Sequence, residues 1–391
     1  MKQGVTVGID IGTHATRIVM SDGFDKLGMP RLLSLAKIES RGLRHGYIVN
    51  QREAIKTIRK AVETTEKNSS TAFKRIMVAM GGISLSSDTV SCSLQIPKNQ
   101  NHITDSDIQR LSQKAEDVFY SHVENRRVLH AFPTTYTLDG KPVLGNPVGM
   151  KGTNLEVKTV FVSALEHHIN DLIDSVEETG LEVADVIAAP YAASFAALSE
   201  KQKMTGCALV DIGAETVSVV VFENGSLISL EVFPIGSTDI TNDIALGFKI
   251  PLEDAEKIKL GKSDVHLPKK QIEKIIASRL TDIFELIAAH LKGIGKDGLL
   301  PAGIIITGGG SYLAHIDISD FARLVLRLPS QVSEVKQISY ERKKALDPSW
   351  FVVYGLCVMN PNFASSSSPM FDTSFRSFKK KLASIFEQLL P

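Results

Sequence analysis

Two stretches of this chain put a carboxylate just before a glycine turn. Gly8–Val19 reads GIDIGTHATRIV, and Val210–Phe222 reads VDIGAETVSVVVF. At an offset of 201 residues, Asp10-Ile11-Gly12 falls on Asp211-Ile212-Gly213, and Ile18-Val19 falls on Val219-Val220. In each copy an apolar run ends at the Asp, and the glycine lets the backbone turn tightly and present N–H groups to an anion. The chain then continues into a second strand, whereas a P-loop continues into a helix. Two such turns would grip one polyphosphate from both sides, through Gly12, Thr13, His14 and Ala15 in the first and Gly213, Ala214, Glu215 and Thr216 in the second. Asp10 and Asp211 would hold Mg²⁺ through water, because that ion keeps part of its hydration shell. One Asp-x-Gly alone reads as an ordinary hairpin turn; the repeat, joined by a run of three glycines, points to a ligand.

That glycine run follows a short buried strand, Gly303–Ile306, which leads into Thr307, Gly308, Gly309, Gly310 and Ser311. Such a turn suits close backbone approach to a flat or anionic ligand. Glu256, Lys259 and Ser263 recur at i, i+3 and i+7, on one helix face, where they would hydrogen-bond a ribose and an adenine edge. The plainer reading of the same spacing is an exposed, salt-bridged face. His167-His168 lacks acids at ligand spacing and reads as a solvated helix start, and Lys67–Arg75 and Arg342–Lys344 read as solvated basic faces.

The elements that must position these residues follow from hydrophobic periodicity. Strands are expected at Val5–Ile11, Arg17–Ser21, Leu32–Ile38 and Arg75–Met80, with a helix over Gln51–Lys67. Ser86–Ile96 and Val128–Leu138 read as strands around a helix that runs from Thr104 to about Val123. Thr104 is its expected N-cap and Asp107 completes the capping box. This stretch reads as an inserted α+β subdomain. Strand and helix alternation resumes at Glu156–Val162, His167–Thr179, Val183–Ala188 and an Ala-rich helix Tyr191–Glu200, as expected of a sheet with crossover connections. Between Thr238 and Gly298 the pattern is helical, interrupted around Gly261–Pro268.

Bulk composition narrows the function classes. A chain of 391 residues exceeds one ordinary core. It has 44 Lys+Arg against 44 Asp+Glu, so no global field favours nucleic acid, and any membrane attraction must be local. Cys92, Cys207 and Cys357 have no metal-ligand spacing and read as buried hydrophobes in a reducing compartment. No signal peptide and no charge-free membrane span is expected, which leaves a cytoplasmic multidomain α/β protein.

Together these residues resemble the actin-like ATPase superfamily. Phosphate-1 resembles Gly8–Arg17, connect-1 Ala189–Ala197, phosphate-2 Val210–Val221, the adenosine motif Ile305–Ser311 and connect-2 Phe351–Val358. Glu256, Lys259 and Ser263 are similar to the adenosine clamp of its chaperone branch. Within the superfamily the resemblance narrows to the FtsA family of bacterial cell division and covers essentially the whole chain. Ile76–Ser84, Ile103–Ile108, Val128–His130, Tyr136–Gly140 and Asn146–Gly152 resemble that family's own 1C subdomain. The segments Thr238–Ala245 and Ala255–Lys259 are also similar to it.

The resemblance implies an α/β, actin-like two-domain ATPase fold of duplicated ribonuclease-H-like units, with ATP and Mg²⁺ as cofactors. Domain 1A would take residues 1–82 and 156–200, the inserted 1C subdomain 83–155, domain 2A 201–237 and 299–360, and subdomain 2B 238–298. The family's glycine-rich phosphate-2 turn appears here as Gly213-Ala214-Glu215, its later Gly-Gly as Gly236-Ser237, and the acid before the connect-1 proline as Ala189. A carboxylate at residue 215 would repel a triphosphate unless it turns away, which suits binding better than fast hydrolysis.

Residues 361–373 have linker composition, and 374–391 read SFRSFKKKLASIFEQLLP. Phe375, Phe378, Leu382, Ile385, Phe386, Leu389 and Leu390 share one helical face, opposite Arg376, Lys379, Lys380 and Lys381. That is the pattern of an interfacial helix on an anionic membrane, and the FtsA family ends in such a helix. The expected role is therefore an ATP-binding actin-like adaptor with weak or no ATPase activity. It would form filaments, bind the FtsZ C-terminal peptide on subdomain 2B, meet later division proteins, and sit on the cytoplasmic face of the membrane at the division site. A pilus-assembly ATPase and a kinase of the same fold are the alternatives. The terminal helix and the Asn146–Gly152 loop favour division over pili, and a kinase would need an acceptor pocket and a base that the sequence does not signpost.

Overall fold

The structure is a computed structural model that describes residues 5–359 apart from 27, 98–99, 101, 264, 266, 334–338 and 341–343. The chain opens with β1 (Thr6–Ile11), β2 (Ala15–Phe24), β3 (Pro30–Glu39), β4 (Leu43–Arg44), β5 (Tyr47–Ile48), α1 (Gln51–Ser69) and β6 (Arg75–Met80). Next come β7 (Ser86–Gln95), α2 (Asp105–His122), β8 (Arg126–Leu138), β9 (Lys141–Val143) and β10 (Asn154–Leu165). These are followed by α3 (Glu166–Glu177), β11 (Glu182–Ala188), α4 (Ala189–Ala197) and α5 (Glu200–Thr205). The later part holds β12 (Cys207–Ile212), β13 (Val217–Glu223), β14 (Ser226–Phe233), α6 (Ser237–Phe248), α7 (Leu252–Lys259) and α8 (Lys269–Gly293). It then runs through β15 (Ile304–Thr307), α9 (Ile318–Leu326), β16 (Ser330–Val332) and α10 (Phe351–Val358). Two compact units result: residues 5–85 with 168–359, and residues 86–167.

The first unit contains two five-stranded sheets, ordered β11-β6-β1-β2-β3 and β16-β15-β12-β13-β14. In each, the Asp-bearing strand pairs antiparallel with the next strand in the chain. On its other side it pairs parallel with a later one. The sequence repeat is thus a duplication of connectivity and of register: Asp10 lies opposite Arg17, and Asp211 opposite Ser218. Buried Val210, Val219 and Ile306 of the second sheet share a core with Ile276, Phe284 and Ile287 of α8. Beside the first sheet, α10 packs so closely that a Cβ on Gly8 would sit 2.9 Å from the Leu356 Cβ. Helices α4 and α10 meet where a Cβ on Gly355 would collide with the Ala192 carbonyl, a crossing that only glycine allows.

In the second unit, a sheet ordered β7-β10-β8-β9 is covered by α2. Ile108 and Leu111 pack with Leu155 and Val157, while Ala115 and Phe119 pack with Phe161. The helix starts as its sequence predicts. The Asp107 N–H donates to Thr104 Oγ1 at 3.4 Å, and the Thr104 N–H donates to Asp107 Oδ2 at 3.0 Å.

Two local expectations change. The Ala-rich segment is two helices, because α4 ends at Ala197 and Ser199 with Gln202 caps a new start for α5. Helix α7 ends at Lys259, with Gly261 at φ 66, so Ser263 lies beyond the helix face that carries Glu256 and Lys259. Among the described residues no helix is long and apolar enough to cross a membrane. The linker 361–373 and the segment 374–391, with Phe375, Phe378, Lys379–Lys381, Leu382, Ile385, Phe386, Leu389 and Leu390, lie outside the described residues.

Candidate functional site

The two Asp-Ile-Gly turns sit at the C-terminal ends of the parallel-paired strands β1 and β12, where open α/β sheets bind ligands. In the second turn the Gly213 carbonyl accepts from the Ser237 N–H at 2.9 Å, and the Ala214 carbonyl accepts from the Thr238 N–H at 2.8 Å. Both donors open α6. In a trans peptide the N–H points opposite to its C=O, so the N–H groups of Ala214 and Glu215 face away from α6. Among the described residues neither donates a hydrogen bond within the protein, and neither do the N–H groups of Gly12, Thr13 and His14 in the first turn. Unpaired backbone donors gathered at two facing turns are an anion cradle.

Asp10 and Asp211 keep part of their surface open but lie deep. Burial pushes the Asp10 carboxyl up to about 6, against the pull of Arg17. Burial and the charge of Asp10 push Asp211 up to about 7, again against Arg17. Each carboxylate raises the cost of ionising its neighbour, and a cation between them would remove that cost. Donor N–H groups around a carboxylate pair therefore fit a polyphosphate with a hydrated divalent ion.

The glycine run packs against the second turn. Gly308 has φ 91, and a Cβ there would collide with Asp211 Oδ1 and the Ile212 carbonyl. A Cβ on Gly310 would reach the Ser237 Cβ at 2.8 Å, and one on Gly236 would collide with the Ala214 carbonyl. Gly236 thus permits α6 to start against the turn, and its own N–H is spent on Asp239 Oδ2 at 2.8 Å. Gly309 differs, since its Cβ would meet only Ser349 at 3.7 Å. Ser311 Oγ donates to the Gly308 carbonyl at 2.7 Å and fixes the turn.

Lys259 is buried, and its ammonium spends its three donors on the Ser237 carbonyl (3.0 Å), Thr241 Oγ1 (2.8 Å) and Glu256 Oε2 (2.7 Å). It therefore positions Glu256. Burial would raise the Glu256 carboxyl, but hydrogen bonds from Lys259 and Thr241 outweigh it and hold that group below its usual range. His14 lies within electrostatic reach of Glu256, and burial together with Lys37 and Arg17 lowers its imidazole. Ser263 stands apart, its Oγ accepting from the Val265 N–H at 3.1 Å.

Glu215 turns away from the cradle. Its Oε2 accepts from the His45 N–H at 2.6 Å, and its carbonyl lies 3.2 Å from His45 Nδ1. The neighbouring Gly46 N–H donates to Thr13 Oγ1 at 3.0 Å. The loop between β4 and β5 thus ties the two turns together. Sequence reading missed His45 and Thr241, and also Arg17 and Lys37, which line up with Asp10 across β1, β2 and β3. Only the strand register could have signalled that row.

A family model described as "Cell division protein FtsA" matches residues 208–367, and "SHS2 domain inserted in FTSA" matches residues 82–163. Relatives carrying the name "Cell division protein FtsA" include that of Bacillus subtilis, 27% identical over 79% of this chain and 74% of the relative. The one from Borreliella burgdorferi is 26% identical over 91% of each chain. Among solved structures, the PilM-PilN type IV pilus biogenesis complex matches with a TM-score of 0.65 at 16% identity, over 91% of this chain and 98% of that one. MreB5 of Spiroplasma citri bound to ADP matches with a TM-score of 0.50 at 11% identity, over 92% and 97%. At those identities the structural matches establish the actin-like fold.

Proposed function

The chain belongs to the FtsA family of actin-like cell-division proteins, and from that premise we propose that it binds ATP with Mg²⁺ between its two turns and links FtsZ to the membrane. The duplicated turn, with its undonated N–H groups and paired carboxylates, is the observation that supports nucleotide binding. Asp10 and Asp211 would hold the ion through water, and the ion when bound supplies positive charge to the phosphates. The N–H groups of both turns bind phosphate oxygens, Gly309 admits the nucleoside, and Glu256, held by Lys259 and Thr241, accepts from its ribose. Ala214 leaves the second turn intact and Glu215 turns away to His45, which supports nucleotide binding. Occupancy would bias the contact between the turns, and with it self-association into filaments.

The FtsZ C-terminal peptide would dock on the α6–α8 region. A groove of about 570 Å³ there is lined by Asn242, Ala245, Leu246, Lys249, Ile250 and Leu252. Leu246 and Leu252 expose most or much of their apolar side chains on it. Its lysine and apolar lining suit an acidic, amphipathic peptide. The segment 374–391 would anchor the assembly on anionic lipid from the cytoplasmic side. The match of residues 82–163 to the FtsA insert favours division over pilus assembly.

The test is binding of an FtsZ C-terminal peptide to the full chain, with Leu246→Glu as the control expected to abolish it. Equal binding by both would remove the docking surface. In parallel, Gly309→Ala should weaken ATP while leaving the melting temperature in place. Flotation with anionic vesicles should be lost from a chain ending at Asn360.

A further inference from the structure

The β4–β5 hairpin ends in a two-residue tip, His45-Gly46, closed by the pairs Leu43–Ile48 and Arg44–Tyr47. Both tip residues have positive φ, 48 and 80, as a tight two-residue hairpin turn requires. The hairpin is seated closely on the first half. A Cβ on Gly46 would lie 2.6 Å from the Gly82 Cα, and the Tyr47 ring stacks on the His168 ring with centroids 3.6 Å apart. From that seat the tip reaches both turns: the Gly46 N–H donates to Thr13 Oγ1 at 3.0 Å, and the His45 N–H to Glu215 Oε2 at 2.6 Å. Thr13 and Glu215 are residues whose own N–H groups, among the described residues, donate nothing within the protein. The bond to the Glu215 carboxylate is charge-assisted, the stronger class of hydrogen bond. The side chains of His45 and Glu215 stay 34% and 29% exposed, so this bond can open without uncovering a core.

We infer that the β4–β5 hairpin is a strap across the nucleotide site and that the Glu215 carboxylate is its latch, so that opening of this one bond sets how fast a nucleoside triphosphate enters and leaves. The inference rests on the nucleotide-binding reading above. The strap is fixed to the first half and takes its hold on the second through Glu215, at the His45 N–H and at Nδ1. The latch is made whenever the strap is closed, with or without nucleotide beneath it. Its loss therefore raises the open population and speeds entry and exit together, while the equilibrium affinity stays nearly constant. A carboxylate that acted on the phosphates would behave in the opposite sense, since removing it would tighten binding and slow release.

The test is stopped-flow mixing of the full chain and Mg²⁺ with a fluorescent N-methylanthraniloyl ATP, followed by a chase of unlabelled ATP. Glu215→Ala should speed both association and release by about 10- to 100-fold, the range for loss of one hydrogen bond to a charged group, with Kd within about threefold of wild type. Glu215→Gln, which keeps an acceptor and loses the charge, should fall between in both rates, and it carries the test if the alanine variant does not fold. Release within about twofold of wild type in a folded Glu215→Ala chain would overturn the inference. So would slower release with tighter binding, because the carboxylate would then act on the phosphates. Faster release with unchanged association and a matching loss of affinity would assign Glu215 to the shape of the turn and overturn the strap as well. In each of these cases nucleotide binding itself would stand; a wild-type chain that takes up no nucleotide would remove both.

Discussion

The two duplicated hairpins share an Asp-Ile-Gly turn and the same strand pairing, yet the residues facing each aspartate differ. Across the first sheet Asp10 meets Arg17 and then Lys37; across the second Asp211 meets Ser218 and then Val232. At the tip, His14 of the first turn corresponds to Glu215 of the second. Duplication has kept the backbone cradle and let the side chains diverge. The first half supplies positive charge behind its carboxylate. The second lends a carboxylate to the first half's loop through His45.

The largest break in this symmetry should come at Gly308. Asp10 pairs with Ala79 as Asp211 pairs with Thr307, so the residue equivalent to Gly308 is Met80, which is buried without difficulty. Gly308→Ala must place a Cβ at φ 91 against Asp211, and a loss of about 2–4 kcal/mol is expected in urea unfolding. An unchanged midpoint would show that the second half tolerates what the first does.

Next in size is the carboxylate pair. A folded-state pKa above the unfolded value means that the native protein holds more protons, so stability falls as pH rises through the range from about 4 to about 7. Asp10→Asn or Asp211→Asn should flatten that slope and stabilise the ligand-free chain above pH 7 by on the order of 1–3 kcal/mol. Thermal melting between pH 5 and pH 8 measures it, and identical slopes in wild type and variants would mean the two charges do not interact.

The smallest effect belongs to the divergent tips. Glu215→Ala removes the bond to the His45 N–H and should cost about 1–2 kcal/mol, with faster amide exchange in residues 42–48. His14→Ala, at the matching position, should leave that loop's exchange unchanged. Equal responses would mean that the tips are not specialised.

Much of this arrangement was legible in residues close in sequence. The paired turns, the Thr104 capping box and the glycine run each carry their reason within a few residues. What the sequence concealed depends on register or on distance. Arg17 faces Asp10 only because the hairpin closes with Ile11 opposite Thr16. The partner of Glu215 lies 170 residues away, so its turn from the phosphate site could not be anticipated. The i+7 spacing puts Ser263 on the face of Glu256 only if the helix runs through Gly261, where the backbone goes left-handed and the helix has already stopped. The break before Ser199 was readable, since Ser-x-x-Gln is itself a helix start.

The connectivity of the duplicate sheets has an evolutionary consequence. In the first copy, β7 to β10 with α2 are inserted between β6 and α3, where the second copy passes from β15 to β16 through a short 3-10 turn and α9. The second copy instead expands its other crossover, carrying α6, α7 and α8 where the first has α1. Each half has therefore grown at a different joint, and neither addition interrupts a strand that bears an aspartate. Either accessory can therefore be altered without disturbing the strands that carry the two aspartates.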